Sequence, residues 1–144
     1  ARELHHRVDE ATGYEFGFNR LRSIFEVTLK NSNAKQSLAG FWIELLSESL
    51  RNDEIRAQQI KSHNDSRLYL LRSVKSGMES GDLRGDLDPE LVVDFISSIS
   101  SGLRLMKAIY PEISPERAFE IANMALGLLQ SSTPASREEK GGSK

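Results

Sequence analysis

Apolar residues recur along this chain in steps of three and four, the spacing that aligns side chains on one face of an α-helix. Tyr14, Phe18, Leu21, Phe25 and Leu29 form the first stripe and predict a helix over residues 14–30. Leu38, Phe41, Trp42, Leu45 and Leu46 form the second, after a polar break at Asn31-Ser32-Asn33. Asn52-Asp53 closes that helix and opens a long third one over residues 54–80. Its halves differ: residues 56–67 are almost wholly polar, whereas Leu68, Leu70, Leu71, Val74 and Met78 give the rest an apolar face. A fourth helix, over residues 89–110, carries Val92, Phe95, Ile96, Ile99, Leu103 and Met106 on one side. The last, over residues 115–130, mixes Ile121, Leu126, Leu128 and Leu129 with Ala118, Ala122, Ala125 and Gly127. No alternating β-branched run occurs. The pattern predicts an all-α antiparallel bundle of about five helices.

The links carry helix-end chemistry. Gly81 suits a left-handed stop, which glycine enters without a Cβ clash. Asp88-Pro89-Glu90 is a start signal: a capping carboxylate, a residue with no N–H to waste, and an acid at the positive end of the helix dipole. Ser114-Pro115-Glu116 repeats it. Residues 1–10 begin without a cap and read as the tail of a longer helix. Residues 11–130 form the folded domain, and 131–144, which lack apolar content, form a disordered tail.

Composition narrows the function. The chain has 144 residues, one domain's worth, with 19 basic against 21 acidic residues and a formal net charge of -2. Phosphate neutralisation supplies most nucleic-acid affinity, so a chain without a basic surplus is not expected to contact DNA itself. Cysteine is absent, which excludes thiolate metal sites and thiol nucleophiles. No apolar run has membrane-spanning length and no signal-peptide pattern opens the chain. A soluble cytoplasmic protein is expected.

The run Met78-Glu79-Ser80-Gly81-Asp82-Leu83-Arg84-Gly85-Asp86-Leu87-Asp88-Pro89-Glu90 leads into a helix containing Ser101-Gly102-Leu103. It resembles the junction between the seventh and eighth helices of tetracycline-repressor (TetR) family transcriptional regulators. The passage from Phe41-Trp42 to Leu50-Arg51-Asn52-Asp53-Glu54 is similar to that family's helix-six to helix-seven passage, and the resemblance runs from about Tyr14 to Gln130. It implies an effector-binding and dimerisation domain, with residues 1–10 the remnant of the helix that links it to a DNA-binding domain. The family's helix-turn-helix motif is not found in residues 1–30, so operator DNA would be met only through a missing N-terminal domain.

The resemblance further implies that the third helix lines an effector pocket. His63, Asn64 and Arg67 share a side with Ile60, Leu71 and Val74, giving a polar end to an apolar site. Phe18, Leu21, Phe25, Trp42, Leu45, Leu46, Leu71, Phe95 and Ile99 would wall it, for a small and largely apolar effector. Each of these side chains could equally be plain core or solvated surface. Small residues on the last two helices suggest a four-helix seam between two copies. Ser98, Ser101, Gly102, Leu105, Ile109, Ala118, Ile121, Ala122, Ala125 and Leu129 are the candidate homodimer residues.

Other chemistry is thin. His6 and Glu10, one turn apart, are two ligands at most, so no metal site is expected. No Gly-x-Ser-x-Gly elbow and no glycine-rich phosphate loop occurs, so neither an enzyme nor a cofactor is expected. Arg84-Gly85-Asp86 spells an adhesion tripeptide but reads as turn chemistry. The rival reading is a stand-alone helical protein-interaction module without a small-molecule site.

Overall fold

The computed structural model describes residues 17–29 and 36–132, which form five α-helices. These are α1 (Phe18–Leu29), α2 (Gln36–Ser49), α3 (Asp53–Glu79), α4 (Pro89–Ile109) and α5 (Pro115–Leu129). The expected linking-helix remnant over residues 1–10, the Asn31-Ser32-Asn33 break, the Leu38 side chain and the tail from residue 133 onward lie outside the described residues. The described part of the first helix begins at Phe18, and Tyr14, at the head of the expected stripe, lies outside the described residues. Gly17, just before it, has φ 129°, a backbone setting outside the helical region and open chiefly to glycine.

Four helices share one core. Leu21, Phe25 and Leu29 of α1 are buried against Val74 of α3, Val92, Val93, Ile96 and Leu103 of α4, and Ala118, Phe119, Ala122 and Leu126 of α5. α1 packs against α3, α4 and α5, and α4 meets every other described helix. α2 differs: it packs on α3 and α4, yet none of its described side chains is fully buried. It lies over the polar half of α3, so that half is roofed without joining the core.

The helix ends follow the residue types. Asn52 accepts from the N–H groups of Glu54 and Ile55, at 3.1 and 3.2 Å. Asp88 accepts from Glu90 N–H at 3.0 Å and Ser114 from Arg117 N–H at 3.1 Å, each satisfying donors that the first turn leaves open. Gly81, at φ 82°, ends α3, and Lys107 Nζ donates to the Leu29 carbonyl at the end of α1, 2.8 Å away. An isolated bridge pairs Leu83 with Gln130. Arg84 N–H donates to Leu129 O at 2.9 Å and Ser131 N–H to Asp82 O at 3.1 Å, fastening the end of α5 to the α3–α4 turn.

Within that turn Arg84 grips both Asp86 oxygens, Nε to Oδ1 at 3.0 Å and Nη2 to Oδ2 at 2.7 Å. These hydrogen bonds favour the ionised carboxylate and hold its pKa below the usual value. The pair's contribution to folding is therefore complete above the ordinary carboxylate range and is lost as pH falls through the depressed value. A carboxyl NMR titration should place Asp86 below the usual aspartate value, and Arg84→Gln should raise it.

Candidate functional site

A cavity of about 460 Å³ opens where α2 crosses the bundle, within the size range of small-molecule sites. Its inner wall is apolar: Ile24 and Phe25 from α1, Leu70 from α3 and Ile96 from α4, all buried. Trp42 and Leu46 of α2 roof it. The polar half of α3 contributes Arg56, Gln59, Ser62, His63 and Ser66, with Ile60 among them, while α4 brings Ser97, Ser100, Ser101 and Arg104.

The cations differ in role. Arg56 donates to the Ser49 and Leu50 carbonyls at 2.9 and 2.8 Å and faces Asp53 at 3.3 Å. It closes the α2–α3 corner. Arg104 lies over the Trp42 ring, its guanidinium carbon 4.2 Å from the ring centroid. The surrounding protein disfavours its charge and lowers its pKa. Behind the inner wall, Arg20, itself buried, stacks on Tyr69 at 4.6 Å and donates from Nε to the Tyr69 hydroxyl at 2.7 Å. Burial pushes the Tyr69 pKa up, against the opposing pull of Arg20. Thr28 Oγ1, in the wall, is buried with no hydrogen-bond partner among the described residues, an unusual state for a buried polar atom.

The structure brings together four of the expected wall residues and disperses the rest. Phe25, Trp42, Leu46 and His63 line the cavity, as does Ser101, which the sequence pattern had assigned to the seam. Leu21 is wholly buried in the core, and Phe18, Leu71, Phe95 and Ile99 are half-buried against it rather than around the cavity. Leu45 is half-buried and Asn64 exposed, neither in the lining. Arg67 turns away to pair with Glu90 and, at 3.1 Å, with Asp94 at the start of α4. Those hydrogen bonds raise its pKa. Its carboxylate partners sit on another helix, which is why spacing along α3 could not reveal them.

The candidate seam residues divide likewise. Ala118, Ala122, Ala125 and Leu129 are buried in this chain's own core, because the small side chains let α5 approach α1 and α4. Ile121 is half-buried against that core. Ser98, Leu105 and Ile109 are exposed, on the stripe that Leu91 begins at intervals of seven and four. On α5 the large outward side chains are instead Met124 and Leu128, at 74% and 70% exposure. A Cβ added at Gly102 or Gly127 would meet open space.

Lining residues that the sequence pattern did not single out include Thr28, Tyr69, Ser97, Ser100 and Arg104. The steps of three and four that join Ser97, Ser100, Ser101 and Arg104 are the available signal, but they read equally as a solvated face. Comparison with curated proteins found no match to the chain. The family model for the C-terminal region of BetI-type transcriptional repressors matches residues 19–130, from the second residue of α1 to just past α5.

Proposed function

The chain belongs to the BetI-type transcriptional repressor C-terminal family, and on that footing we propose that it is the ligand-sensing and dimerising domain of a TetR-like regulator. Membership gives the domain a regulatory role. The cavity of about 460 Å³ beneath α2 carries the finer reading: an apolar wall with polar groups at one end suits a small effector. The exposed Leu91, Leu105, Ile109, Met124 and Leu128 on α4 and α5 offer a second copy an apolar face. DNA contact belongs to a separate helix-turn-helix domain of the whole regulator, whose two copies must match half-sites a helical turn apart. An effector that prefers one packing of α2 against α3 and α4 shifts the balance between DNA-compatible and incompatible forms. The reading places the protein in the cytoplasm and assigns it no catalysis.

Two measurements test this reading. A panel of hydrophobic small molecules should contain members that raise the melting temperature, by the equivalent of about 2.7 kcal/mol at a hundredfold excess over Kd. Sedimentation should give a dimer, and Ile109→Glu with Leu128→Glu should give a monomer of unchanged helix content. A monomeric wild type that responds to no compound would favour the helical interaction module instead.

A further inference from the structure

Building on the reading of the cavity as an effector site, we infer that its ligand is an organic anion: a compact apolar body with one carboxylate or similar oxyanion, seated on Arg104. The sign of the lining comes first. Among the described residues neither aspartate nor glutamate lines the cavity, while Arg104 and Arg56 do. Arg56 is spent on the α2–α3 corner.

Arg104 is not so engaged. Arg67, Arg84 and Arg51 each meet a carboxylate, whereas Arg104 has no ion pair or hydrogen bond with any described residue. Arg104 as a residue is exposed, yet Trp42 covers one face of its guanidinium, and an entering oxyanion offsets the cost of a charge partly desolvated in this way. Geometry sharpens the choice. The guanidinium stacks on Trp42, so one flat face is covered while its N–H donors, which lie in the plane, stay free to fork onto two oxygens. Ser97, Ser100 and Ser101 bring hydroxyls to the same wall. Thr28 Oγ1, buried and unpartnered among the described residues, supplies a further polar atom that a ligand oxygen can satisfy.

A cationic ligand fits poorly. It would need a carboxylate or an open aromatic face, yet the described lining has no carboxylate and the Trp42 face is occupied by a like charge.

The test uses phenylbutyrate, phenylbutanamide and phenylbutylamine, which share one body and differ in charge. Trp42 is the chain's single tryptophan, so its emission reports on the cavity directly. The carboxylate should bind about tenfold more tightly than the amide or the amine, a step worth about 1.4 kcal/mol. Arg104→Gln should erase that preference and leave the amide's affinity intact, and Arg104→Lys should keep part of it. If the amide or amine binds wild type as tightly as the carboxylate, the anion inference falls while the effector pocket stands. Survival of the preference in Arg104→Gln also overturns it. If none of the three changes Trp42 emission or the melting temperature, pocket and inference fall together. The wild-type comparison decides the matter even where Arg104→Gln folds poorly.

Discussion

Phe25→Ala is expected to remove about 3 kcal/mol of stability, the low end of the range for deleting a buried phenylalanine. Phe25 is 1% exposed and sits in α1, the helix that touches α3, α4 and α5. Truncation forfeits both the transfer of the ring from water and its contacts with those helices. The low end applies because one side of the ring already borders the cavity, where there are fewer atoms to lose contact with. Domains of this size are stable by about 5–15 kcal/mol, so the variant keeps its fold with a much narrower margin. Urea unfolding should show a lower midpoint with an unchanged slope. A loss under about 1 kcal/mol would mean that the ring is a movable part of the cavity wall rather than core.

Gly77 sets two opposed effects against each other. Alanine in place of glycine inside a helix ordinarily gains about 1 kcal/mol. Here an added Cβ would lie 2.8 Å from Leu83 Cδ1 and 2.9 Å from its Cγ. Leu83 has little room to move: it is 1% exposed, its N–H donates to the Gly77 carbonyl at 2.9 Å, and it pairs with Gln130. Crowding of this kind costs about 1–3 kcal/mol, so it wins. Gly77→Ala should lower the melting temperature and Gly77→Val should lower it further, with the loss traced to the α3–α4 turn by hydrogen exchange. Gly102→Ala is the control, because its Cβ meets open space and the propensity gain stands alone. A rise in melting temperature for Gly77→Ala would mean that Leu83 yields freely.

What the sequence made legible was local. Asn52, Asp88 and Ser114 cap helices because a short polar side chain reaches donors two or three residues ahead, and that needs no knowledge of the fold. The five stripes were legible for the same reason. Which neighbour each stripe faces was not. Phe95 and Ile99 share their stripe with Ile96, yet only Ile96 reaches the cavity; a rotation of some tens of degrees about α4 decides the matter, and periodicity does not resolve that. The polar half of α3 splits three ways, with His63 in the lining, Asn64 in solvent and Arg67 paired across to α4. Arg104 escaped notice because an arginine beside serines on an outer turn looks solvated until Trp42 is seen beneath it.

α2, which buries no described side chain completely, is held to α3 by Arg56 at one corner and to α4 by Arg104 over Trp42, so it sits on the bundle as a shutter. Swinging it out would uncover the apolar wall of Ile24, Phe25, Leu70 and Ile96 while the packing of α1, α3, α4 and α5 on one another stays in place. On the effector-site reading, a guest molecule would come and go with the motion of that one helix, without waiting for the whole protein to loosen.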